Sequence, residues 1–136
     1  MFVEDWPSVN WGILDYWRNP KPGYYALATA YQRVLPSIAS SHDGWKKGEK
    51  VALDLWITND TLEDFAGSRL IATLQSPDGY SDEQALQVNV AADSSQKIMT
   101  LSWKKLPPGS YRLSVQLENA AREVLGRNLS TFRVEE

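Results

Sequence analysis

Hydrophobic and polar positions alternate strictly over much of this chain. The run "KVALDLWITND" (50–60) sets Val51, Leu53, Leu55 and Ile57 on one face, with Asp54 and Thr58 on the other and Trp56 between them. "GSYRLSVQLEN" (109–119) sets Tyr111, Leu113, Val115 and Leu117 against Arg112, Ser114 and Gln116. A period of two marks strands buried on one side only. Weaker runs of the same character are "RVLPSIAS", "SRLIATLQSP", "QALQVNVA", "KIMTLSW" and "NLSTFRV". The separators "HDG", "TND", "SPDG", "ADSS", "LPPGS" and "ENA" are turn chemistry. The pattern predicts a mainly β fold, an immunoglobulin-like antiparallel sandwich of about seven short strands over residues 34–136. "PPGSY" puts Tyr111 near a strand start. There its hydroxyl either bonds back to the backbone at a corner or follows a ring that is simply buried.

Residues 1–33 follow another period. In "PKPGYYALATAYQR", Tyr24, Leu27, Tyr31 and Val34 fall at i, i+3, i+7 and i+10, which predicts one α-helix near 21–33. Pro22 suits its first turn, where a missing N–H costs nothing, and Pro36 stops it from running on. Ahead of the helix lies "EDWPSVNWGILDYW" (4–17), with Trp6, Trp11, Tyr16, Trp17 and the carboxylates Glu4, Asp5 and Asp15. A sandwich covers its core with its own strands. This aromatic segment is therefore surplus to the sandwich: it packs outside it or belongs to something else.

The length, 136 residues, is one domain's worth, enough to hide roughly two-thirds of the unfolded surface. The composition, 43% hydrophobic and 23% charged, is ordinary for a globular domain, so the 11% aromatic content with six tryptophans stands out. A net charge of −3 gives no electrostatic case for nucleic acid or an anionic membrane. No run approaches the ~18 apolar residues of a membrane span. The N-terminus has no basic region followed by an apolar one, so no signal peptide is expected, and the compartment stays open. Without cysteine there are no disulfides, thiolate metal sites or cysteine nucleophiles.

Candidate chemistry is thin. His42, the single histidine, lies in the turn "SSHDG" and cannot build a metal site without cysteine or a second histidine. A serine triad would have to use it, and no G-x-S-x-G or phosphate-binding glycine motif is present. Glu4 and Asp5 are adjacent, so in extended chain they point opposite ways instead of converging on a substrate. The glycosylation triplets at Asn59 and Asn128 are short enough to arise by chance. No catalytic residue, metal or cofactor is expected. The aromatic cluster remains, as core packing, a protein interface or a platform for sugar rings.

Its spacing says more than its composition. "VEDWPSVNWGILDYWRNPKPGYYALATAYQRVL" resembles the segment near the C-terminal end of the catalytic barrel in glycoside hydrolase family 2, particularly the β-mannosidase-like branch. That branch carries N-D-x-W-P-x-x-S-W-x-x-x-D-Y followed by K-P-x-Y-Y-A-L-K-R-A. The matching positions are Asp5, Trp6, Pro7, Trp11, Asp15, Tyr16, Lys21, Pro22, Tyr24, Tyr25, Ala26 and Leu27. Two departures stand out: the acidic pair precedes Trp6 directly, without the usual intervening residue, and Asn10 stands where serine is common. The resemblance covers about a quarter of the chain, and in the family an immunoglobulin-like sandwich follows the barrel.

The resemblance implies that residues 1–33 are the last strand-loop and helix of a (β/α)₈ barrel, with 34–136 the sandwich. Barrel sites form at the C-terminal strand ends. Asp5, Trp6 and Trp11 would therefore be substrate-binding residues of the parent enzyme, positioning sugar and moving no proton. The family's two catalytic glutamates lie on earlier strands, absent from this chain. One strand-helix unit cannot close a barrel. The chain is thus expected to be the inactive C-terminal piece of a retaining glycosidase, with the rest of that enzyme as its partner and carbohydrate a ligand of the parent only. The rival expectations are a stand-alone carbohydrate-binding module using the tryptophans, and an interaction module, including a dimer formed through residues 2–17.

Overall fold

The computed structural model describes residues 3, 12–42 and 44–136. The chain divides into two compact units, residues 1–32 and 33–136. The first contains the helix α1 (Pro22–Ala30), the second eight strands: β1 (Val34–Ala39), β2 (Trp45–Lys46), β3 (Lys50–Asn59), β4 (Phe65–Gln75), β5 (Ser81–Val90), β6 (Ser94–Lys104), β7 (Gly109–Glu118) and β8 (Val124–Glu135). They form a three-stranded sheet, β1-β3-β6, and a five-stranded sheet, β2-β8-β7-β4-β5. Seven strands fall on the seven alternating runs. The eighth, β2, is two residues long and pairs in parallel with the end of β8. Two residues carry no readable period, so Trp45 reveals its strand only through its burial.

Alternation decides which side chains enter the core. Val51, Leu53, Leu55 and Ile57 of β3 are buried, as are Tyr111, Leu113, Val115 and Leu117 of β7. Leu70, Ala72 and Leu74 of β4 and Leu101 of β6 complete the layer between the sheets. The Trp103 indole of β6 spans it, donating to the Asp82 carboxylate of β5 at 2.6 Å and so tying one sheet to the other.

The helix is shorter than its pattern predicts. Pro22 occupies the first turn as expected, but α1 ends at Ala30, with Tyr31 and Gln32 closing it through bonds to the Leu27 and Thr29 carbonyls. Val34, read as the last position of the helical face, is instead buried in β1. Pro36 does not stop the helix; it lies inside β1, opposite Ile57. A proline is tolerated there because β1 is an edge strand, whose outward N–H has no ladder partner to lose. Periodicity overreached because Val34 fits a helical face and a strand start equally well.

β1 also runs close to β8 of the other sheet. The Asn128 amide donates to the Pro36 carbonyl at 2.9 Å, and Gly126 lies directly against the Val34 carbonyl. Among the described residues no buried side-chain nitrogen or oxygen lacks a partner, as a well-folded interior requires.

Candidate functional site

Asp5, Trp6 and Trp11 lie outside the described residues. What is described of the first unit is the frame that follows them. Leu14 bridges Val3 on one side and Pro20 on the other. Between Leu14 and Pro20 the chain reverses over "DYWRN". Asp15 accepts from the Asn19 backbone N–H at 2.8 Å and from its side-chain amide at 3.0 Å. The backbone closes the same turn through Asp15 N–H to Asn19 and Arg18 N–H to Asp15. Arg18 takes a positive φ of 71° there. The bond from the Asn19 side chain holds the Asp15 carboxyl below its ordinary range, helped by backbone N–H groups and by Lys21, against a smaller opposing effect of desolvation. This exposed carboxylate builds a turn. Its lowered pKa makes it a poor proton donor.

The turn and helix present aromatic surface outward. Trp17 is 66% exposed, Tyr25 60% and Tyr31 80%, and α1 buries no residue. Ile13, Tyr24, Leu27, Ala28 and Tyr31 line a shallow groove of about 190 Å³. An apolar face this bare is unusual for a helix.

The second unit carries its polar chemistry as structure. The Tyr111 hydroxyl donates to the Pro107 carbonyl at 2.8 Å, so the corner bond is present and burial is not the whole account. The ring stacks on Phe132 at 5.4 Å and meets Tyr80 edge-on at 6.1 Å. Burial, then the neighbouring Tyr80 and Asp78, raise the Tyr111 pKa above 10.0. A raised phenol pKa means that stability is full below the unfolded value, ~10, and falls as pH rises through the folded value. Tyr111→Phe is expected to cost about 1 kcal/mol at neutral pH. It should also flatten the alkaline decline, which urea titrations at several pH values above 9 would measure. An unchanged alkaline slope would count against Tyr111 as its source.

His42 is exposed, in a turn closed by the Ser40 hydroxyl, its ring 6.2 Å from that of Trp45. No group of three His, Asp or Glu side chains among the described residues is arranged to hold a metal. The Asn59 side chain is buried and hydrogen-bonded, so the first glycosylation triplet is closed to modification in the folded state. Sequence reading gave neither that role of Asn59 nor the Trp103–Asp82 link. The Trp103–Asp82 link joins residues 21 apart, and the Asn59 bond to Ala91 reaches 32 residues along the chain, so no local signal announces either contact.

Two sheets, a tyrosine corner and a buried aliphatic layer define the class: an immunoglobulin-like β-sandwich. The family model described as "Mannosidase Ig/CBM-like domain" matches residues 51–134, and the chain belongs to that family. β-Mannosidase B of Aspergillus niger is 25% identical over 114 residues, covering 79% of this chain and 12% of that protein. The Aspergillus terreus protein of the same name is 27% identical over 67 residues, 46% of this chain and 8% of that one. This chain thus spans about a tenth of the length of the curated relatives it matches. Among solved structures, the β-D-mannosidase of Dictyoglomus thermophilum superposes with a TM-score of 0.73 at 24% identity, over 97% of this chain and 15% of that one. A Bacteroides uniformis β-glucuronidase gives 0.53 at 18% identity, over 72% of this chain and 13% of its own. The sandwich is thus an accessory domain related to those of β-mannosidases and other family 2 glycoside hydrolases, a kind normally carried within a larger glycosidase chain.

Proposed function

We propose that this chain is the C-terminal accessory region of a retaining β-mannosidase-like glycosidase, with residues 1–33 the closing strand-loop and helix of its catalytic barrel. The observation that carries the reading is the reach of one superposition. Residues 34–136 make up about three-quarters of the chain, and the β-glucuronidase likeness extends over a similar share, 72%. The β-D-mannosidase likeness extends over 97%, into the aromatic turn and helix. The bare apolar groove of α1 supports the same reading, because a barrel's outer helices are covered on one face by its strands.

Asp5, Trp6 and Trp11 stand at the rim of the sugar subsite and orient the glycone, while proton transfer and nucleophilic attack belong to two carboxylates elsewhere in the parent. The isolated 136-residue chain is expected to show no turnover of chromogenic β-mannoside, β-galactoside or β-glucuronide. Activity above background that survives repurification overturns the reading. Calorimetry with manno-oligosaccharides tests it from the other side. Saturable binding lost in Trp6→Ala or Trp11→Ala would make the chain a carbohydrate-binding module in its own right.

A further inference from the structure

We infer that the outer face of the β7–β8 hairpin is a binding strip for a carboxylate-bearing polysaccharide. The chain has seven arginines, and four lie on this one hairpin: Arg112 on β7, Arg127 and Arg133 on β8, and Arg122 in the turn between the strands. Alternation aims the three strand arginines away from the core, since Arg112 sits between buried Tyr111 and Leu113, Arg127 follows buried Gly126, and Arg133 precedes buried Val134. All four are exposed. Arg112 is level with Thr131 and Arg133 with Ser110, so the guanidiniums run down the hairpin in a line. The six steps from Arg127 to Arg133 span about 20 Å at the usual rise of a strand.

The strip is pre-shaped. Arg127 Nε donates to the Gln116 side chain at 2.9 Å across the strands. Arg122 holds a positive φ of 68° in a turn fixed by Asn119, whose side chain accepts from the Ala121 and Glu123 N–H groups at 2.9 Å. Three acids accompany the strip: Glu118, 3.5 Å from Arg122, Glu123, next to Arg122 in the turn, and Glu135, level with Lys46. The balance on the face stays positive, on a chain whose net charge is −3. A polyanion is therefore repelled by most of the molecule and attracted here.

Two features select the ligand. Arginine forks match carboxylates in pairs of parallel bonds, which lysines do not. Leu129, 47% exposed on the same face between Arg127 and Thr131, offers apolar contact to the C–H face of a sugar ring. The choice of a sugar polymer over a polypeptide rests on the proposed glycosidase reading.

The test is native affinity electrophoresis of the full 136-residue chain in gels containing polygalacturonate, with neutral mannan gels alongside. Retardation is expected in polygalacturonate only, falling steeply between 50 and 500 mM salt by general screening behaviour, ~10 Å at 0.1 M. The double variant Arg112→Gln/Arg127→Gln should weaken it at least about fivefold with an unchanged thermal midpoint. The Arg112→Lys/Arg127→Lys variant keeps the charge and should lose part of the binding, which guards against a folding artefact. No retardation, equal retardation by mannan, or indifference to both double variants overturns the inference. Equal competition by polyglutamate of matched charge overturns the choice of sugar. Loss of this binding would leave the accessory-domain reading intact, and β-mannoside turnover by the chain would refute that reading without touching the strip.

Discussion

Replacing Asn59 by alanine is expected to destabilise the sandwich by about 3–5 kcal/mol, the largest effect of any single polar substitution here. The residue is fully buried at the end of β3. Its amide nitrogen donates to the Glu63 carbonyl and to the Ala91 carbonyl, each at 2.9 Å. Its oxygen accepts from the Thr61 N–H at 3.0 Å and the Thr61 hydroxyl at 2.7 Å. One side chain thus fixes the β3–β4 connection to itself and to the loop leaving β5. Alanine fills none of these roles, and the buried Thr61 N–H loses its partner. Each buried group without a partner costs about 1–3 kcal/mol, and the costs overlap because the groups are neighbours. Urea unfolding measures the total. Amide exchange at Thr61 and Glu63 should accelerate beyond the change in global stability. Asn59→Asp separates the two halves of the network, keeping the acceptor for Thr61 while facing a carboxylate toward two carbonyl oxygens, and should be no better than alanine. A loss under 1 kcal/mol for Asn59→Ala would mean that the network does not hold this end of the fold.

Gly126→Ala is expected to cost about 3 kcal/mol, although it adds one methyl group. A Cβ at this position would overlap the Val34 carbonyl oxygen and stand 2.9 Å from Pro36 Cδ. Neither neighbour is a flexible side-chain end. Val34 is held by its pairing opposite Asn59, and Pro36 by its ring. Relief therefore requires β1 to move off β8, which also breaks the Asn128 bond to Pro36. Thermal unfolding gives the total, and exchange should quicken in β1 before β7. Gly48 provides the contrast. It has open space around its Cα but a φ of +88°, so alanine there meets strain without a clash and should cost only about 1 kcal/mol. Equal losses at the two sites would mean that β1 yields easily.

The two units differ in how much their sequence disclosed. In the sandwich, alternation was nearly sufficient, because a strand with one wet face must repeat its chemistry every second residue. In the first unit, periodicity extended α1 too far, to a valine that belongs to β1. The spacing of "DWP", "DY" and "KPGYYAL" was informative in a different way. It carries the resemblance to the end of a glycosidase barrel on which the proposed function rests.

Sequence by itself determined the sandwich, its seven main strands, the inward faces of β3 and β7 and the resemblance that the family match bears out. These are local properties: period, turn chemistry and motif spacing are written in consecutive residues. Tertiary structure alone decided that Trp45 starts a parallel edge strand, that Asn59 is a buried junction, and that Gly126 marks where two sheets nearly touch. It also gathered four arginines into one line. Each of these depends on groups distant in sequence meeting at one point, and where they meet is set by register and sheet order, which no run of consecutive residues encodes.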